Sequence, residues 1–90
     1  MLEYEIVSNT PECVIVRVYS DSRENIDSPV TRRGIISYLK ENGYGNFDLV
    51  DPFSAVFPVD AEKKPLVTVE GERLTGNLNG FCKEFRVFCR

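Results

Sequence analysis

The run Cys13-Val14-Ile15-Val16-Arg17-Val18-Tyr19 limits what this chain can fold into more than any other stretch. Alternation at period two sets Val14, Val16 and Val18 on one side and Cys13 and Ile15 on the other, so both faces are apolar. A strand of that kind belongs in the middle of a sheet rather than at its rim. Residues 2–7 alternate more sharply, with Leu2, Tyr4 and Ile6 opposed to Glu3 and Glu5, the pattern of a half-buried strand whose charged face suits an edge. Turn chemistry, Ser8-Asn9-Thr10-Pro11, separates the two runs.

Further along, residues 20–28 read as a polar loop with one apolar member, Ile26. Ser28 and Pro29 have the chemistry of an N-cap and first helical position, and Asn42-Gly43 that of a helix end, which predicts a helix over 29–42. Ile35, Ile36 and Leu39 form its core-facing stripe, extended by the aliphatic stem of Arg32. A third strand is predicted over 46–50 and a proline-marked linker from there to Lys64. A hairpin follows over 65–75, turning at Glu70-Gly71. Residues 77–90 fit two periods. At 100° per residue Phe81, Cys82, Phe85, Phe88 and Cys89 share one arc opposite Lys83, Glu84, Arg86 and Arg90, which predicts an amphipathic helix. At period two, Phe85, Val87 and Cys89 oppose Arg86 and Arg90, which describes a strand.

With 90 residues, 42 % of them apolar and 28 % charged, the chain is expected to form a single domain over 1–90. The first five residues lack a basic stretch before an apolar one, and no apolar run is long enough to span a bilayer, so a cytoplasmic protein without a membrane partner is expected. A net charge of −3 leaves no basic excess for phosphate neutralisation, which argues against nucleic acid. The absence of histidine removes the commonest general base, the triads built on it and most mixed zinc sites. Cys13, Cys82 and Cys89 are odd in number and none forms a C-x-x-C pair, so no metal site and no redox dithiol of that spacing is expected. On a terminal helix, Cys82 and Cys89 would sit about 10 Å apart along the axis, too far for a disulfide and well placed for packing. No carboxylate pair stands out for acid–base work.

Given the terminal helix, the order after the first strand is β-α-β-β-β-α, and several stretches resemble a glutaredoxin. Val14 to Ser20 is similar to that family's first strand, and Thr31 to Val50, with Tyr38-Leu39-Lys40-Glu41-Asn42-Gly43 and Phe47-Asp48-Leu49-Val50-Asp51, to its first helix and second strand. Pro65 to Gly71 looks like the strand opened by the family's cis-proline, and Leu74-Thr75-Gly76-Asn77 like its glycine corner. The resemblance implies a single small α/β domain with a thioredoxin-like mixed sheet of four or five strands, to which residues 2–7 add an extra N-terminal strand. The alternative is a β-grasp, β-β-α-β-β-β, in which residues 84–89 pair with a central strand. The active-site thiol is missing: Ser22 to Pro29 contains no cysteine, and serine without a base does not replace it. The chain is therefore more similar to redox-dead relatives such as the Src-homology-3-binding glutamate-rich family, although it lacks their proline-rich segment.

Arg32 and Arg33 lie in the first helical turn, where the macrodipole disfavours cations unless an anion is held there. With Lys64 beside Pro65, and with Gly76 and Asn77 at the corner, they form the candidate anion site, in the region where the resemblance implies the glutathione carboxylates. Charge is uneven, −4 over the first 31 residues and +3 over the last 18, which suits docking on a protein. Glu3 and Glu5 mark a strand edge open to strand addition. The expected function is thus a non-catalytic interaction or regulatory module without a cofactor, binding another protein. The competing readings are a binder of glutathione or another small anion, and a thiol enzyme using an atypical cysteine.

Overall fold

The computed structural model describes residues 2–26, 28–45 and 47–89. Asp27, Asn46 and Arg90, assigned above to the loop, the third strand and the terminal element, lie outside the described residues, as do the side chains of Phe47, Asp48, Leu49 and Cys89. Five strands and two helices follow in the order β1 (Leu2–Asn9), β2 (Cys13–Ser20), α1 (Arg23–Ile26), α2 (Pro29–Glu41), β3 (Phe47–Pro52), β4 (Phe57–Val59) and β5 (Gly80–Cys89). They build one sheet in the order β1-β2-β5-β3, and β4 also pairs with β5. β3 lies along residues 85–89 of β5 and β4 along residues 80–82, so both occupy its outer side in succession. Every strand pairing is antiparallel, which corrects the mixed sheet expected above.

The two N-terminal strands are where the alternation put them, and β2 is central, flanked by β1 and β5. Its even-numbered residues Val14, Val16 and Val18 are fully buried under α2, in a core completed by Ile35 and Leu39 of that helix and by Val50, Phe85 and Val87. The terminal element is the largest correction. Residues 80–89 form strand β5 and not a helix, so the β-α-β-β-β-α order of a thioredoxin-like fold is not the order found. The β-β-α-β-β-β order of the alternative is found, once the four-residue α1 is set aside, with residues 84–88 paired to β2 as that alternative required, although β4 lies within the stretch expected to be a linker up to Lys64, where Phe57–Val59 pair with β5. The physical reason lies in β2. A strand apolar on both faces needs a hydrogen-bonded neighbour on each side; β1 supplies one, and residues 80–89, extended, supply the other while also pairing with β3 and β4. In the pairing, Phe85 stands opposite Val16 and Val87 opposite Val14, so the aromatic arc is split between the two faces.

Helix α2 spans the predicted residues to within one. Ser28 is extended and its side chain makes no capping bond; Pro29 opens the helix. The Thr31 hydroxyl instead donates to the carbonyls of Asn25 (2.9 Å) and Ile26 (3.0 Å), tying α1 to α2. Thr31 is buried with Ile35 and Leu39, and Ile36 is half-buried, while Arg32 is exposed rather than packed along its stem. At the other end Gly43 takes the left-handed conformation, φ 88°, so that its N–H reaches the Lys40 carbonyl and that of Tyr44 the Leu39 carbonyl. The predicted loop over 20–28 contains α1, whose Ile26 is buried. The predicted hairpin over 65–75 forms as a short one, the bridge Val67–Arg73 flanked by the bonds from Leu74 N–H to the Leu66 carbonyl and from Thr68 N–H to the Glu72 carbonyl, and Gly71 supplies the positive φ of its turn. No peptide bond among the described residues is cis, that of Pro65 included. No described helix is long and apolar enough to cross a membrane.

Gly34 faces β1, and a Cβ built there would overlap the Tyr4 hydroxyl and come within 2.8 Å of its ζ carbon. Tyr4 stacks on Tyr38, one turn along α2, with ring centroids 5.4 Å apart. Alanine in place of a mid-helix glycine gains up to ~1 kcal/mol of helix propensity, whereas overpacking costs about 1–3 kcal/mol. Gly34→Ala is therefore expected to destabilise the protein, and to stabilise it when introduced into a Tyr4→Val background. Urea unfolding of the unsubstituted protein and the three variants checks the change of sign, and equal effects in both backgrounds would refute the contact.

Candidate functional site

Cross-strand partners share a face, so the register sorts the strand residues into two surfaces. One is covered by α2. The other carries a row across three strands in which Glu5 of β1 stands opposite Arg17 of β2, and Arg17 opposite Glu84 of β5. Arg17 gives its Nε (3.1 Å) and Nη2 (2.8 Å) to Glu84 Oε2, so the guanidinium is turned towards β5 and Glu5 makes no ion pair among the described residues. A second row holds Glu3, Tyr19 and Cys82. A third places Ile15 opposite Arg86 and Arg86 opposite Asp51, with 3.4 Å between the Arg86 and Asp51 side chains.

A loop after β4 reaches back over the second row. The Asp60 carboxylate accepts from the backbone N–H groups of Glu62 and Lys64, both at 2.9 Å, and Lys63 between them adopts φ 64°. From there the Lys63 ammonium passes over the Tyr19 ring, 5.0 Å from its centroid, and donates to Glu3 Oε1 at 3.0 Å. That bond, above all, raises the Lys63 pKa. Tyr19 is held in turn by Asn79, whose side-chain amide donates to the phenol at 2.8 Å.

Beneath this cover Cys82 is fully buried, and burial pushes its thiol pKa up against the opposing pull of Arg17 and Lys63. An activated nucleophile needs the reverse, a lowered pKa and access. Cys13 is half-exposed, its Sγ 3.8 Å from the Thr10 hydroxyl. No group of three metal-ligating side chains gathers among the described residues.

The candidate anion residues fall in separate places. Arg32 lines a cavity of about 390 Å3 at the start of α2 with Ser28, Pro29, Thr31, Lys83 and Phe85. Arg33 is exposed. Lys64 points to Glu62 at 3.4 Å, both in solvent. Pro65 bridges to Val59 and lines a groove of about 400 Å3 with Arg17, Phe57, Val67, Val69 and Glu84, on the face away from α2. Gly76 and Asn77 line a shallow cleft beside Asp60 and Glu62. The sheet thus lies between Arg32 and Pro65.

Glu3 and Glu5, by contrast, are on the outermost strand, as the alternation indicated. Sequence reasoning did not find Arg17, Lys63, Glu84 or Lys83 as members of these surfaces. Period-two alternation through 80–89 was the one signal that could have found two of them, since it sets Lys83 with Phe85 and Glu84 with Arg86. Compared with protein-family models, with curated proteins and with solved structures, the chain has no match in any of the three.

Proposed function

We propose that the protein is a non-catalytic interaction module that binds another protein along the free edge of β1. The observation that carries this reading is the position of the strand. Seven of the eight residues of β1 pair with β2 on one side, and no described strand pairs with them on the other. An unpaired edge is a template for a further strand, and main-chain hydrogen bonds supply the affinity in such complexes. The reading rests on that edge and on the thin chemical inventory: a sequence without histidine and a buried Cys82 whose pKa is raised. It does not require a glutaredoxin-like scaffold. Net negative charge favours a protein over a nucleic acid as the partner.

The anion-binding reading keeps one observation in its favour, the cavity that Arg32 and Lys83 share at the start of α2. Hydrogen exchange separates the two. A partner captured by the whole chain is expected to slow exchange at alternate amides within residues 2–9, because only outward-pointing N–H groups gain bonds. Protection confined to the start of α2, or a glutathione-induced shift there lost in Arg32→Glu, would overturn the edge reading.

A further inference from the structure

The charge pattern of the sheet says what kind of strand fits that edge. Across β5, β2 and β1 the row Glu84, Arg17, Glu5 alternates in sign and ends on an acid at the rim. Arg17 is committed to Glu84, so Glu5 carries its charge to the edge unneutralised by any described ion pair. Glu3, two residues away on the same face, is neutralised by Lys63. On the α2 face, Tyr4 and Ile6 flank Glu5 in sequence and are half-buried, packed against the core but not enclosed by it. The geometry points to an extended partner segment with a lysine or arginine opposite Glu5 and apolar residues opposite Tyr4 and Ile6. In that register the cation continues the alternating row and the apolar pair extends the half-buried face. This rests on the edge-binding reading and specifies its partner.

The same pattern disfavours a second copy of this chain. Antiparallel self-pairing that keeps the apolar face continuous sets residues of equal parity opposite each other. Centred on Glu5 it opposes that unneutralised acid to its own copy, so like charges meet there. The register shift between Ile6 and Ser8 further interrupts a long flat pairing.

Two blocked peptides test the inference, one with an arginine between two valines in an otherwise threonine strand, the other with glutamate in place of the arginine. Titrated to millimolar concentration into the whole protein, the arginine peptide is expected to shift the amides of residues 2–9 and to bind roughly fivefold or more tightly than the glutamate peptide. Glu5→Lys is expected to reverse the preference, and unchanged β5 amide shifts show that the variant is folded. Equal binding of both peptides, no shift with either, or an unreversed preference in Glu5→Lys would overturn the cationic partner. Slowed exchange at alternate β1 amides in a captured complex would still stand as the separate test of the edge. A dimer formed through β1, seen by sedimentation, would also overturn the inference, because the edge would then belong to a second copy.

Discussion

Replacing Leu39 by alanine is expected to lower the unfolding free energy by about 2–5 kcal/mol, the usual result of deleting a large side chain from a closed core. Leu39 is fully buried in the cluster that α2 forms with Val14, Val16, Val18, Val50, Phe85 and Val87. The chain has 90 residues. At about 0.05–0.15 kcal/mol per residue, a loss of this size is a large part of the total stability. The midpoint of thermal unfolding should fall by roughly 10 °C or more, since 1 kcal/mol shifts a domain of this size by about 4–8 °C. Thermal unfolding followed by circular dichroism reads the change. A shift of only a few degrees would mean that α2 is not clamped to the sheet by this residue. Ile36→Ala, at a half-buried position of the same helix, is the internal comparison and should cost distinctly less.

Cys82 is expected to be the slow thiol of the molecule. With its side chain fully buried under the Lys63 loop, it reacts only when β5 or its cover opens. An opening free energy of about 4 kcal/mol protects it about 10^3-fold relative to an exposed cysteine. Labelling of a Cys89→Ser variant should therefore modify Cys13, which is half-exposed, well before Cys82. Comparable rates at the two positions would contradict the burial.

The same burial fixes a pH dependence. The folded state holds the Cys82 proton to higher pH than the unfolded chain, whose thiol titrates near ~8.5. The stability linked to that proton is fully present below about pH 8.5 and is lost as pH rises towards the higher folded value. Tyr4, raised by burial, and Lys63, raised chiefly by its bond to Glu3, act in the same direction but only at higher pH. Urea unfolding between about pH 8 and 10 should show stability falling with pH, and Cys82→Ala should flatten that fall. An unaltered slope in the variant would remove Cys82 as its source.

Local chemistry made β1, β2 and α2 legible in the chain. Two strands alternate at period two beside a proline-containing turn, and α2 is bounded by Pro29 at its start and Gly43 at its end; each of these signals acts within a few residues. The edge position of Glu3 and Glu5 was legible for the same reason, since a charged face on an alternating strand needs no distant partner to be recognised. Residues 80–89 were not. Phe81, Phe85 and Phe88 satisfy a helical arc and Phe85 and Val87 a strand face equally well, and only the pairing with other strands, β2, β3 and β4, distinguishes them. Arg17 and Glu84 lie 67 residues apart, and Glu3 and Lys63 lie 60 apart. Their encounters follow from β5 inserting between β2 and β3 and from the Asp60 turn that aims Lys63. By itself the sequence determined which residues seek burial, through periodicity and caps that act over one or two turns of chain. The tertiary structure alone decided which strand lies across from which, because a strand's hydrogen bonds are made by another segment and its own side chains do not name that partner.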